Sequence, residues 1–241
     1  MDIIHIIQMN AIDKIFFINL ERCGERREHF IKQCQIHNIP FDKIQKIEAV
    51  DGITHKFTTE ELQMFKRANF ILNPEPIVRR IIGNQLSHYY ALKHIINQRY
   101  QYCIICQDDV MFKPGFTGYI DKIIENLPKD SEMINLGLHQ HAEGKEFVSW
   151  DFNGKNDTET ICSKTMNPYV GEWKEDMNPC SLCYIITLDG AKNLVEHFNR
   201  TGFKKTTDFN FIDYLVDKKI FYGSTEVLAT TNVEFPSEIF R

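Results

Sequence analysis

The sequence predicts an α/β protein with a mostly parallel central sheet flanked by helices. Residues 15–20 and 102–106 are short, continuous apolar runs, typical of strands that are buried on both faces of a sheet. The first fifty residues follow a strand–helix–strand pattern, which favours parallel pairing. The 241-residue chain is 43% hydrophobic and 25% charged, as expected for a globular protein that can bury a sizeable core.

The predicted strands and helices follow one another in an order typical of this class. The first strand precedes a helix from residue 30 to about 37, which ends at Asn38-Ile39-Pro40. Another helix begins near Thr58, and residues 73–76 are predicted to form a loop. The other predicted strands cover residues 44–50, 133–138 and 182–188, and the other predicted helices cover residues 85–98, 116–127, 189–199 and 208–217.

Residues 139–180 differ in character from the rest of the chain. This segment is polar, contains Gly144, Gly154 and Gly171, and shows no convincing periodicity. We therefore predict a long loop, and loops of this length in compact domains usually have a function. Because closure over a ligand is a common way to exclude water, the segment is a candidate lid.

Charge, cysteine content and hydropathy exclude several classes of protein. With 28 basic and 33 acidic residues the net charge is −5, and no basic stripe indicates a nucleic-acid partner. Seven cysteines are an odd number for a disulfide scaffold and favour reduced thiols. Residues 1–10 fall far short of the ~20 apolar residues of a spanning helix and lack the features of a signal peptide. We expect a cytoplasmic protein without a membrane span.

Two C-x-x-C pairs, Cys103/Cys106 and Cys180/Cys183, raise the question of a zinc site. Residues three apart in a strand point to opposite faces, so Cys103 and Cys106 cannot both bind one ion. Since free cysteine is among the most buried residue types, we favour packing in the core.

Two adjacent acids follow the best-defined strand of the sequence. Gln107-Asp108-Asp109 comes directly after residues 102–106, and ligands of open α/β sheets bind outside the carboxyl ends of the strands. Unpaired buried carboxylates are costly, and a hard divalent cation with oxygen ligands would relieve their repulsion. A diphosphate would complete the coordination of that cation. The alternative is a polar strand end at which Asp109 caps a turn.

The acidic block is one of several short blocks that occur in a fixed order from about residue 14 to 239. The acidic block is Cys106-Gln107-Asp108-Asp109-Val110. The other blocks are Ile18-Asn19-Leu20-Glu21-Arg22 with Arg26-Arg27, Glu48-Ala49-Val50-Asp51-Gly52, Gly83-Asn84-Gln85-Leu86-Ser87-His88, Asn135-Leu136-Gly137, Tyr184 through Asp189-Gly190-Ala191, Thr207-Asp208 and Ser237-Glu238-Ile239. Each block is short, but the ordered set is specific and resembles that of glycosyltransferase family 25, which contains lipooligosaccharide and collagen galactosyltransferases. The acidic block of that family reads E-D-D.

The resemblance implies a single GT-A-like domain, a UDP-sugar donor, Mn²⁺ or Mg²⁺ as cofactor, and inversion at the anomeric carbon. The transferred sugar would be a hexose, galactose or glucose. The acceptor would be a hydroxyl group of a glycan, a lipooligosaccharide or other lipid-linked saccharide, or a protein. Residues up to about 138 would bind the nucleotide sugar, and residues from about 139 to 241, including the loop at 139–180, would bind the acceptor.

The resemblance also implies roles for individual residues. Asp109, with Asp108, would hold the metal ion, and Asp208 would be the general base that activates the acceptor. The alternative for Asp208 is a helix N-cap, because it opens a predicted helix. The residues expected to contact the donor are Asn19, Arg22, Arg26, Asp51, Ser87, Gln107 and Asp108.

The acidic block departs from the family pattern at Gln107. An amide can still hydrogen-bond a ribose hydroxyl or a metal-bound water, but it removes one negative charge, so metal affinity should fall. A second hypothesis is therefore a catalytically weak or inactive nucleotide-sugar-binding protein. Arg22 and Arg26 also have a plainer interpretation as the solvated start of a helix, and Ser87 as a helix cap.

Overall fold

A sheet of eight strands forms the centre of the fold in a computed structural model of the chain. The structure describes residues 9–65, 75–138, 161–174, 181–232 and 234–239. In spatial order the strands are β2 (Ile44–Glu48), β1 (Lys14–Asn19), β3 (Tyr102–Gln107), β9 (Cys183–Thr187), β5 (Met133–Asn135), β10 (Tyr222–Ser224), β8 (Val170–Trp173) and β7 (Cys162–Thr165). Strands β1, β3 and β9 are almost wholly buried, which explains their continuous apolar sequences. The predicted α/β class is confirmed.

Six α-helices flank the sheet within the described ranges. They are α1 (Gly24–Ile36), α2 (Thr59–Met64), α3 (Pro76–Gln98), α4 (Phe116–Glu125), α5 (Leu188–Thr201) and α6 (Thr207–Asp217). Helix α1 begins earlier than predicted, so Arg26 is a buried helical residue. Helix α3 also begins earlier, at Pro76, because proline suits the first position of a helix, where its missing N–H leaves no bond unmade. None of these helices is long and apolar enough to cross a bilayer.

The sheet is mixed, so the prediction of a mostly parallel sheet is wrong for its second half. Strand β1 pairs in parallel with β2 and β3, and β5 pairs in parallel with β10. Strand β9 runs antiparallel to both β3 and β5, and the pairs β8–β10 and β7–β8 are antiparallel too. The direction of β9 depends on pairing between distant parts of the chain, which the strand–helix–strand pattern of the first fifty residues does not encode.

A second sheet of three strands adjoins the acidic block. Its order is β4 (Val110–Phe112), β11 (Ala229–Thr231) and β6 (Gly137–Leu138), with β11 antiparallel to β4 and parallel to β6. The strand predicted over 133–138 is divided at Leu136, whose N–H donates to Cys183 O while its carbonyl accepts from Leu228 N. Because β4 starts directly after Asp109, this sheet holds the backbone of the acidic block in place.

Part of the segment predicted as a loop forms a β-hairpin. Strands β7 and β8 pair within residues 161–174, and β8 joins the main sheet through β10. Trp173 is buried, and its indole Nε1 donates to Ser224 O over 2.9 Å. Three of the four β7 residues are exposed, so the segment shows no readable alternation. The rest of the predicted loop, 139–160 and 175–180, lies outside the described residues.

Helix α3 packs closely against the segment that follows β2. A Cβ atom on Gly83 would lie 2.4 Å from Val50 O, so only glycine permits this approach. One turn later, Ser87 Oγ accepts from Val50 N over 2.8 Å and donates to Gly83 O over 2.7 Å. Ser87 lies well inside the helix rather than at its start, so it is not a cap. Its hydroxyl fixes the segment that carries Asp51.

Five of the six described cysteines pack in the interior, and Cys23 is half-buried. Cys103 and Cys106 are fully buried, and Cys106 Sγ lies 3.4 Å from Cys183 Sγ on the facing strand, with no covalent bond between them. Cys180 lies outside the described residues.

Candidate functional site

The acidic block lies at the carboxyl ends of β1 and β3, which are parallel neighbours. Asn19 ends β1, and its neighbour Ile18 is in register with Gln107 at the end of β3. Asn19 Nδ2 donates to Asp108 Oδ2 over 2.7 Å and to Cys23 O over 3.0 Å. Asn19, the polar residue that ends β1, therefore orients the side chain of Asp108.

Arg26 bridges the two acids. Its Nε lies 2.6 Å from Asp108 Oδ1, and its Nη2 lies 2.8 Å from Asp109 Oδ2. All three residues are less than a tenth exposed: Arg26 8%, Asp108 6% and Asp109 7%. These contacts depend on the early start of α1, which turns Arg26 towards the end of β3. The helix thus brings a cation to the place where the sequence predicts a metal ion.

Burial and charge act against each other in this cluster. Burial raises the pKa of Asp108, although the positive charge of Arg26 opposes the rise. Burial lowers the pKa of Arg26, but the charges of Asp109 and Asp108 outweigh it, so this pKa lies above its ordinary value. The guanidinium therefore stays charged, and a buried charge needs such partners.

One carboxylate oxygen of the pair is left without a partner. Asp109 Oδ1 is buried and accepts no hydrogen bond within the part of the chain that the structure describes. A buried, unpaired carboxylate oxygen is costly, and a cation or a water bound to a cation would satisfy it. Within the same described ranges, no three His, Cys, Asp or Glu side chains are grouped as a complete metal site. The unpartnered Oδ1 of Asp109 has the chemistry of a ligand for a hard cation, and metal binding stays a prediction.

The C-terminal segment covers this cluster. Asn232 N donates to Asp109 O over 2.7 Å, and Arg26 Nη1 donates to Pro236 O over 3.3 Å. The Arg26 guanidinium also lies 5.5 Å from the centre of the Phe235 ring. Residues near the end of the described chain thus hold Arg26 against the acids.

Arg22 and Asp51 meet at the rim of the site. Arg22 Nη1 is hydrogen-bonded to Asp51 Oδ2, and Arg22 Nη2 lies 3.2 Å from Glu238 Oε2. Asp51 Oδ1 accepts from Ile53 N over 3.0 Å, which fixes the turn after β2. The Arg22 side chain is 46% exposed, so it can also reach a ligand from solvent. Contacts of Arg22 and Asp51 with the donor stay predictions. The same holds for Ser87, which binds the backbone at Val50, the residue before Asp51.

Gln107 connects the acidic block to Asp208. Gln107 Nε2 donates to Ser181 Oγ over 3.1 Å, and Ser181 N donates to Asp208 Oδ1 over 2.6 Å. The N-cap of α6 is Thr206, so Asp208 lies within the first turn and its carboxylate binds Ser181 instead of capping the helix. The N-cap alternative is therefore wrong. A small cleft of about 10 Å³ beside Asp208, with room for about one water molecule, is lined by Asn135, Ser181 and apolar side chains.

Sequence reasoning missed Ser181 and the covering residues Phe235 and Pro236. Ser181 lies within the C-x-x-C pair Cys180/Cys183 and directly before an apolar run, so its position near the start of a strand could be predicted. The contact between Ser181 and Gln107 could not be predicted from the sequence, because that contact requires β9 to run antiparallel to β3. Ser237-Glu238-Ile239 marked the C-terminal segment only by resemblance.

Comparison with known proteins shows relatives of this chain among glycosyltransferases. A human protein, procollagen galactosyltransferase 2 (Homo sapiens), is 28% identical over 192 residues, covering 77% of this chain and 28% of that protein. The putative glycosyltransferase R655 of Acanthamoeba polyphaga mimivirus is 31% identical over 129 residues, covering 52% of this chain and 37% of that protein. The chain therefore spans less than two fifths of the length of these relatives.

Two solved structures show weaker likenesses. A glycosyltransferase involved in glycosylation of the major capsid of PBCV-1 gives a TM-score of 0.42 at 7% identity, covering 92% of this chain and 93% of that one. Mouse xyloside xylosyltransferase 1 gives 0.37 at 8% identity, covering 89% and 76%. Both scores are below 0.5, so neither likeness supports an argument about function.

The family comparison covers most of the chain. The model described as "Glycosyltransferase family 25 (LPS biosynthesis protein)" matches residues 12–212, which include Asn19, the acidic block and Asp208. The mixed α/β architecture, with a large central sheet flanked by helices, agrees with the fold class that the sequence predicts. The chain belongs to glycosyltransferase family 25.

Proposed function

We propose that the chain transfers a hexose, galactose or glucose, from a UDP-sugar to a hydroxyl group, with the help of Mn²⁺ or Mg²⁺ and with inversion at the anomeric carbon. The observation that carries the proposal is the unpartnered, buried Oδ1 of Asp109 beside Asp108, at the carboxyl end of a central strand. Family membership and the galactosyltransferase names of the relatives support the same reaction class.

The residues at the acidic block have distinct roles in this proposal. Asp109, assisted by Asp108, would hold the divalent cation, which when bound neutralises the diphosphate leaving group. Asn19 keeps Asp108 in orientation through its 2.7 Å hydrogen bond. Arg22 and Asp51, at the rim, would contact the phosphates and the nucleoside.

Asp208 would act on the acceptor. An inverting transfer requires a base that takes the proton from the attacking hydroxyl. Asp208 is half-buried, borders the cleft beside Asn135, and holds its carboxylate in place through Ser181 N. The acceptor would be a glycan, a lipooligosaccharide or other lipid-linked saccharide, or a protein.

A screen of UDP-sugars tests the proposal. The protein would be incubated with each UDP-hexose and Mn²⁺, and UDP release would be measured with and without a chelator. We expect chelator-sensitive release with UDP-galactose or UDP-glucose, because an active transferase usually passes some sugar to water. Absence of release with every donor, despite a donor-dependent rise in Tm, would contradict the enzyme and support a binding protein.

The second candidate is a binding protein of the same fold that holds a nucleotide sugar without turnover. Gln107 favours it, because the amide removes one negative charge from the block. The presence of Arg26 between the two acids favours it too, because the guanidinium already neutralises part of their charge.

Gln107→Glu distinguishes the two candidates. We expect this change to have little effect on Mn²⁺ affinity or turnover. The reason is that Gln107 faces Ser181, and a carboxylate could accept from the Ser181 hydroxyl in place of the present bond. A Mn²⁺ titration of turnover in both proteins provides the measurement. A rise in metal affinity of tenfold or more, about 1.4 kcal/mol, would instead show that the natural chain has a weakened metal site.

A further inference from the structure

Arg26 fills the role of a cation at the acidic pair. Its guanidinium contacts Asp108 Oδ1 at 2.6 Å and Asp109 Oδ2 at 2.8 Å, in a setting where all three side chains are nearly buried. Arg26 makes one charge-assisted hydrogen bond to each carboxylate, and such bonds are about twice as strong as neutral ones. Its single positive charge therefore offsets one of the two negative charges before any metal ion arrives.

A divalent cation on Asp109 would stand close to this guanidinium. Asp109 Oδ1, the oxygen left for a metal, belongs to the same carboxylate whose Oδ2 binds Arg26. Like charges a few ångströms apart repel strongly where water is scarce. Asp109 therefore binds either cation less tightly when the other is present, so the Arg26 guanidinium weakens binding of a metal ion and a metal ion weakens binding of the guanidinium.

We propose that Arg26 is an internal counterion of the acidic pair and competes with the divalent cation for Asp109. The protein without donor then binds a free metal ion poorly. The inference rests on the proposed function in one respect: a donor diphosphate would offer Arg26 new anionic partners and so allow the metal to bind Asp109.

The C-terminal segment supports the guanidinium in its present position. Pro236 O accepts from Arg26 Nη1 over 3.3 Å, and the Phe235 ring faces the guanidinium at 5.5 Å. Each of the three guanidinium nitrogens therefore has an acceptor. These bonds use three of the five guanidinium N–H groups, so two remain for a donor phosphate, and a metal ion on Asp109 would replace Arg26 as the partner of that carboxylate.

Arg26→Gln tests the competition without any turnover. We expect Mn²⁺ affinity, measured by calorimetry in the absence of nucleotide, to rise tenfold or more, because the repelling charge is removed. In chelator the variant should melt at a lower temperature than the natural chain, and Mn²⁺ should raise its Tm by more. The matched control is Arg27→Gln, the next residue of the helix, whose guanidinium lies 3.8 Å from the exposed Glu21. Both quantities should be unchanged in this control.

An affinity for Mn²⁺ within threefold of the natural chain, or below it, would overturn the inference, even if the Tm fell. If Arg26→Gln does not fold, Arg26→Met serves, since methionine removes the charge and keeps a long, flexible apolar side chain. A severalfold rise in Mn²⁺ affinity in that variant supports the competition, and no rise overturns it. A raised affinity without any UDP release from the natural protein would leave the inference standing and remove the proposed transfer.

Discussion

Asp109→Asn is expected to abolish metal-dependent binding of UDP while leaving the fold intact. The side chain keeps its shape, and its remaining oxygen can still face Arg26 Nη2, which lies 2.8 Å from Oδ2 in the natural chain. The amide nitrogen would then replace Oδ1, the unpartnered oxygen. An N–H donor presents a positive edge where a cation needs an electron pair. Outer-shell partners of metal ligands contribute about 10–100-fold in affinity, so loss of the ligand should cost more.

Calorimetry with Mn²⁺ and UDP together provides the measurement. Asp189→Asn is a suitable control, because this side chain is 82% exposed and its carboxylate pairs with Lys192 at 2.8 Å on the surface. The control should bind Mn²⁺ and UDP as the natural chain does. Unchanged affinity in Asp109→Asn, with an unchanged Tm, would show that the metal is held elsewhere.

The parts of the fold that the sequence predicts correctly are those with a clear local pattern of apolar residues. Strands β1 and β3 are buried on both faces, so their apolar runs alone identify them. Strands β10 and β11 have three residues each and exist only because distant strands pair with them. No period can be read from so short a segment, and the division of 133–138 between two sheets depends on the same distant pairing.

The candidate site likewise has parts that the sequence predicts and parts that depend on distant contacts. Asp108 and Asp109 were predictable because they follow a recognisable strand, and their position needs only the general rule for ligand sites in α/β sheets. Their partnership with Arg26 was not predictable, because charged residues at the start of α1 concealed where the helix begins. The sequence suggested that Arg26 faces a donor, whereas its described contacts are with the two acids. A contact with the donor stays a prediction.

Asp208→Asn is expected to lower turnover by about 10²–10⁴-fold, the usual contribution of a general base. An asparagine oxygen can still accept from Ser181 N, the 2.6 Å bond that holds this side chain, so the cleft should keep its shape. An amide cannot take up a proton from the acceptor hydroxyl. Since Thr206 is the N-cap of α6, the change removes no cap. The weakened bond to Ser181 should cost only ~1 kcal/mol of stability.

Rate and stability therefore separate the two roles of Asp208. Turnover would be measured as UDP release at saturating Mn²⁺ and with saturating amounts of the donor that the screen identifies, and thermal unfolding would be followed on the same samples. Asp213→Asn lies on the same helix, where its carboxylate pairs with Lys205 at 2.8 Å on the surface, and it should retain full turnover. A large loss of kcat with nearly unchanged Tm and donor affinity is the signature of a lost base. Near-natural turnover in Asp208→Asn would remove this residue from the mechanism, and the proton of the acceptor would then need another base.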